Sequence, residues 1–150
     1  RIAAGMDPVL YLGNLDSLRD WGHASDYVEM QWLMLQAAKP QDYVIATGKQ
    51  FTVREWATWA AQELGIELAW EGSGEQEIGI IAGLAKEREQ FLKVGQTIVK
   101  VDPRYYRPAE VETLLGDPSK AARELGWKPK VSTRDLCAEM VKSDFMELAD

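Results

Sequence analysis

Between Val9 and Gln36 the hydrophobic period changes abruptly, and that change restricts the chain to folds that mix strands with helices. Val9 to Leu12 is a short apolar run of the kind a buried strand makes. Gly13-Asn14 turns it, and from His23 the spacing is helical, with Ala24, Tyr27, Val28, Gln31, Trp32 and Leu35 on one face. Met30, Trp32, Leu33, Met34 and Leu35 are nearly continuous, so this helix is expected to be apolar on more than one face and largely buried, with Pro40 ending it. The loop at 13–22 joins a strand end to a helix start, the place where α/β folds hold ligands. It carries one arginine, Arg19. A guanidinium presents a rigid fork of donors that matches a phosphate; the competing reading is a surface ion pair with Asp16 or Asp20.

The rest of the chain alternates in the same way. Tyr43 to Thr47 reads as a second buried strand. Thr52-Val53-Arg54-Glu55 is a capping box, with Phe51 and Trp56 placed as its hydrophobic staple. The helix it starts carries Val53, Trp56, Ala57, Ala60 and Leu64 on one face and stops at Gly65. Ile66 to Trp70 and Gln96 to Val101 read as strands. The stretch 71–96 is glycine-punctuated and is expected to be a surface insertion or interface element, with a short strand at Ile78–Ile81 and a charged helical turn at 86–92. Asp117 and Pro118 start a helix that Gly126 ends, and Ser132 caps the last one, whose apolar side is Leu136, Cys137, Met140, Val141, Met146 and Leu148. The expectation is an α/β fold with short strands and four to five helices. Arg1 to Gly5 reads as the end of a helix capped by Gly5, which leads us to expect a piece of a larger protein.

Composition narrows the function. A net charge of −7 argues against a nucleic-acid or anionic-membrane partner, so an anionic ligand must be met by local arginines against the overall field. The single cysteine, Cys137, cannot form an internal disulfide and is expected to be a buried thiol. His23 is the only histidine, so a histidine metal cluster or a serine–histidine triad lacks its usual parts, and the residue is read as a cap or an orienting group for the 13–22 loop. Arg107 follows a second strand, as Arg19 follows the first, so the two could converge on one cleft; Glu110, three residues on, could accept from a ribose diol or a base amine. Arg104 is a weaker candidate that could equally pair with Asp102 or Glu112. Trp21, Tyr105 and Tyr106 could stack on a base, with core packing preferred for at least two of them.

Three segments in order, Leu12-Gly13-Asn14-Leu15-Asp16-Ser17-Leu18-Arg19-Asp20-Trp21-Gly22-His23-Ala24-Ser25-Asp26-Tyr27-Val28, Val101-Asp102-Pro103-Arg104-Tyr105-Tyr106-Arg107-Pro108-Ala109-Glu110-Val111, and Leu115-Gly116-Asp117-Pro118-Ser119-Lys120-Ala121 leading to Leu125-Gly126-Trp127-Lys128-Pro129, resemble the GDP-mannose 4,6-dehydratases, which are extended short-chain dehydrogenase/reductases. The resemblance implies that 1–150 is the C-terminal substrate-binding portion of such an enzyme, lacking most of its Rossmann domain. It implies GDP-mannose as substrate, with Arg19 and Arg107 on the diphosphate and Glu110 on the ribose. It implies NADP as an internal hydride carrier, bound mainly by an N-terminal Rossmann domain that also holds the tyrosine–lysine pair. The implied product is GDP-4-keto-6-deoxymannose, on the way to GDP-fucose in the cytoplasm, made by a homo-oligomer. No glycine-rich dinucleotide fingerprint and no Tyr-x-x-x-Lys pair occurs in the chain, so no catalytic or cofactor-binding residue is assigned to it. Two competing readings are another nucleotide-sugar epimerase or reductase of the same superfamily, and a non-catalytic α/β module that binds a nucleotide sugar or a protein.

Overall fold

The computed structural model describes residues 1–107, 109, 111 and 113–148. Strand β1 (Leu10–Leu12) leaves a 3-10 turn at Ile2–Ala4, which Gly5 ends with φ 72°, a left-handed value that favours glycine. It is followed by β2 (Leu18–Arg19), α1 (Ala24–Gln36), β3 (Phe51–Thr52), α2 (Val53–Glu63), β4 (Ile66–Glu71), β5 (Ile78–Leu84), β6 (Thr97–Val101), α3 (Ser119–Leu125) and α4 (Thr133–Glu147). The main sheet runs β1-β6-β5-β4: β1 lies parallel to β6, while β6–β5 and β5–β4 are antiparallel. β2 and β3 form a separate two-stranded ladder, Leu18 opposite Thr52 and Arg19 opposite Phe51.

The apolar spacing read on α2 and α4 becomes a layer on this sheet. Ala61, Ile66, Ile81, Leu92, Ile98 and Val99 are buried together, with Leu64, Trp70 and Phe145 packed against them. At about 25 cal/mol per Å² of apolar surface removed from water, such a cluster is the main stabilising term of the fold. A second cluster joins α1 to α3 through fully buried Met30, Ala121 and Trp127. The caps form as expected. Thr52 Oγ1 accepts from the Glu55 amide while Glu55 accepts from the Thr52 amide. Asp117 accepts from the Ser119 amide at the start of α3, Gly126 closes that helix with φ 68°, and Ser132 accepts from the Asp135 amide.

Five expectations need correction. The stretch 71–96 is no insertion: β5 is an inner strand, paired on both sides, with Ile81 only 1% exposed. The short strand expected at Ile78–Ile81 does form and runs on to Leu84, but Gly79 and Gly83 interrupt the apolar run and hid its inner place. Tyr43 to Thr47 forms no strand, since a strand needs a neighbouring backbone and none pairs with it among the described residues. Helix α1 is not largely buried: Asp26 and Met30 face inward, whereas Val28, Trp32 and Leu35 are exposed at 61%, 59% and 81%. Phe51 packs edge-on against Trp59, centroids 4.9 Å apart, while Trp56 meets Trp21. On α4, Met140 and Met146 point outward and Phe145 takes the inner position.

Candidate functional site

Parallel pairing of β1 with β6 ends at Leu12 opposite Val101, so both strands deliver their loops at the same end of the sheet. The Asp102 amide continues the ladder to the Leu12 carbonyl at 2.9 Å. Beyond it the chain turns: the Tyr105 and Tyr106 amides both donate to the Asp102 carbonyl. The nearly buried Asp102 carboxylate accepts from the Arg104 amide at 2.9 Å and from its guanidinium at 2.6 Å. That guanidinium and amide hold the Asp102 carboxyl below the ordinary aspartate range. Arg104 is thereby spent on the turn, the ion-pair reading with Asp102.

The turn rests on the loop that follows β1. Asn14 donates to the Arg107 carbonyl at 3.0 Å and accepts from the Arg107 amide at 2.8 Å. Further along, Arg19 Nη1 donates to the Val111 carbonyl at 2.8 Å, and Gln50 donates to the Thr113 hydroxyl at 2.6 Å. Leu18 bridges Thr113 in parallel fashion. The structure therefore brings the segments of Arg19 and Arg107 together, with the Arg107 side chain on the exposed rim. Glu110 and Pro108 lie outside the described residues.

The surface pairs considered for Arg19 do not form. Asp16 binds Arg54, which lowers its carboxyl below the usual range. Asp20 accepts from the Thr47 amide at 2.9 Å, the Thr47 hydroxyl at 2.5 Å and the Gly48 amide at 2.9 Å. Its neighbours are structural too. The Trp21 ring packs on Trp56, and its carbonyl accepts from Thr133. His23 caps α1 by accepting from the Ser25 amide and approaches Glu139 at 3.3 Å. Tyr105 stays 55% exposed. Of the residues in this loop, Arg19 alone combines a guanidinium with a place beside the turn. Sequence reasoning missed Asn14 and Asp20; the only signal for either was a short polar side chain in a turn, which is common.

A separate concavity lies elsewhere. About 850 Å³ opens between β1, α2 and α4, walled by Leu10, Val53, Trp56, Ala60, Leu68 and Phe145. Neither Arg19 nor Arg107 lines it, and largely apolar walls are the wrong chemistry for a diphosphate. Among the described residues no group of three or more His, Cys, Asp or Glu is placed to hold a metal ion, and no helix is long and apolar enough to cross a membrane.

The sequence profile of a family described as GDP-mannose 4,6 dehydratase matches residues 1–140. The chain belongs to the GDP-mannose 4,6-dehydratase family. Over 143 residues it is 56% identical to the GDP-mannose 4,6-dehydratase of Vibrio cholerae, covering 95% of this chain and 38% of that protein. It is 58% identical over 146 residues to the enzyme of the same name from Yersinia enterocolitica, covering 97% and 39%. The chain thus spans about two fifths of the curated dehydratases it matches. Among solved structures, RMD from Pseudomonas aeruginosa complexed with NADPH superposes with a TM-score of 0.68 at 17% identity, over 98% of this chain and 39% of that one. UDP-glucose 4-epimerase from Thermotoga maritima with UDP-glucose gives 0.66 at 20% identity, over 99% and 38%. At those identities the likeness is one of fold, and it bears out the expected α/β architecture.

The RMD structure holds NADPH, and among the described residues this chain builds no strand–glycine–helix cradle for a dinucleotide. The glycines that follow strands here, Gly13 after β1 and Gly72 after β4, lead to another strand and to a 3-10 turn. Neither opens an α-helix whose N-terminus could face a pyrophosphate.

Proposed function

We propose that residues 1–150 are the C-terminal nucleotide-sugar-binding portion of a GDP-mannose 4,6-dehydratase, and that an N-terminal Rossmann domain supplies NADP and the catalytic residues. The single observation that carries this reading is the joining of the segment after β1, which carries Arg19 in β2, to the turn after β6, which carries Arg107, in a chain belonging to this family. Arg19 and Arg107 bind the GDP diphosphate, and Glu110 contacts the ribose. The bound cofactor carries hydride away from the sugar and back; this portion binds and orients the GDP-mannose, and no proton or hydride step is given to its residues. Two further features fit an additional domain: the outward apolar stripe of α1 and the run Tyr43 to Thr47, which pairs with no strand among the described residues. The full-length protein acts in the cytoplasm as a homo-oligomer, on the way to GDP-fucose.

The test uses full-length enzyme. Arg107→Ala should raise the Michaelis constant for GDP-mannose roughly 10- to 150-fold, the equivalent of about 1.5–3 kcal/mol for a charged hydrogen-bonding group, while turnover changes little. Arg107→Lys keeps the charge without the fork and should fall between. Arg19→Ala should behave like Arg107→Ala. Variants that all stay within about twofold of wild type would remove the site assignment. GDP should also compete far better than UDP, and equal competition would favour a different nucleotide sugar.

A further inference from the structure

One amide side chain takes both backbone groups of a residue 93 positions away: Asn14 Nδ2 donates to the Arg107 carbonyl at 3.0 Å and Asn14 Oδ1 accepts from the Arg107 amide at 2.8 Å. This is the pairing a neighbouring strand would give, supplied by a side chain where the β1–β6 ladder has already ended. The preceding residue lets the two segments close. A Cβ on Gly13 would sit 2.4 Å from the Tyr105 carbonyl oxygen, inside any real contact distance, so only glycine admits the turn this near. Arg107 is thus held from its amide to its carbonyl, while its side chain reaches the exposed rim.

We propose that Asn14 is a positioning residue for the nucleotide sugar: by fixing the Arg107 backbone before ligand arrives, it aims that guanidinium at the diphosphate. The proposal rests on the reading of Arg107 given above. Asn14 itself touches no phosphate. Its contribution is preorganisation, because a residue already ordered does not lose its backbone freedom on binding. Freezing the backbone of one residue corresponds to a factor of about 5 to 30 in an equilibrium constant. That factor should appear in the Michaelis constant for GDP-mannose.

The experiment is a double-mutant cycle in full-length enzyme, with Asn14→Ala, Arg107→Ala and the pair. Asn14→Ala should raise the GDP-mannose Michaelis constant about 5- to 30-fold, leaving turnover and the NADP Michaelis constant within about twofold. In the Arg107→Ala background it should add nothing, because the group it aims is gone. A merely structural role would instead lower turnover, weaken NADP binding, or add the same factor in both backgrounds, and any of these overturns the proposal. So does an Asn14→Ala effect within twofold while Arg107→Ala is severe. If Arg107→Ala is itself silent, the diphosphate reading fails, and the positioning role with it. Should Asn14→Ala not fold, the isosteric Asn14→Asp keeps the acceptor and, ionised, loses the donor. It should raise the same Michaelis constant with turnover unchanged, and an unaltered constant overturns the proposal.

Discussion

Arg54 offers the sharpest test of how the site is anchored. Its guanidinium meets Glu77 side-on, Nε to Oε1 at 2.7 Å and Nη2 to Oε2 at 2.8 Å, with the Glu77 side chain only 7% exposed. Its third nitrogen binds Asp16 in the site loop, whose side chain is 79% exposed. Arg54→Met should therefore separate two terms of unequal size. The exposed Asp16 contact contributes at most about 1 kcal/mol. Stripping Glu77 of its partner leaves a buried carboxylate uncompensated, which costs about 3–5 kcal/mol. With roughly 2.1 cal/mol/K of unfolding entropy per residue over 150 residues, that loss lowers Tm by about 10–16 °C. The assay is thermal unfolding of the chain at neutral pH, followed by circular dichroism. Arg54→Met combined with Glu77→Leu should recover most of the loss, because an apolar pair needs no partner charge. A single variant that melts within about 3 °C of wild type, or a pair no better than the single, would show that Glu77 is reached by water and that this argument is wrong.

Thr52→Ala should cost about 0.5–2 kcal/mol without changing GDP-mannose affinity in the full enzyme, and an unchanged melting temperature would show that the capping box contributes nothing. Arg104 depresses the Asp102 carboxyl, so that charge stabilises the turn above about pH 4 and its contribution is lost as pH falls through the lowered folded value. Carbon-13 titration should find Asp102 below about 3.9 and rising in Arg104→Gln, and a titration that does not move rejects the pairing. Burial pushes the Cys137 thiol up, so it should resist a thiol reagent in the folded chain and react once unfolded; prompt reaction in native buffer would contradict its place under α2.

The parts of the fold that the sequence announced are those whose signals are local. Caps at Thr52, Asp117 and Ser132 and stops at Gly65 and Gly126 all depend on residues within one turn, and all are realised. The short strand expected at Ile78–Ile81 is the start of β5, but its inner place was illegible, because an inner strand is defined by neighbours distant in sequence and Gly83 broke the pattern that would have extended it. Helix α1 showed its apolar residues plainly, but sequence cannot say which face has a partner: the face through Val28, Trp32 and Leu35 is the outward one. Arg19 and Arg107 stood out as phosphate-binding types, whereas their shared scaffold did not. The contact of Asn14 with Arg107 crosses 93 positions and leaves no trace in either neighbourhood.

The parallel pairing of β1 with β6 also sets an order of assembly. The β4–β5 and β5–β6 ladders join strands close in sequence, but Leu10 must find Val99, closing a loop of about ninety residues. Long loops close late, after shorter ones have made the surface onto which they dock. The turn carrying Arg107 is stitched to the loop after β1, so it takes shape when that last strand arrives. The proposed binding turn should then be the last part of the fold to form and the first lost on partial opening. In hydrogen exchange, the amides of Asp102 and Arg107 should give up their protons before that of Ile81.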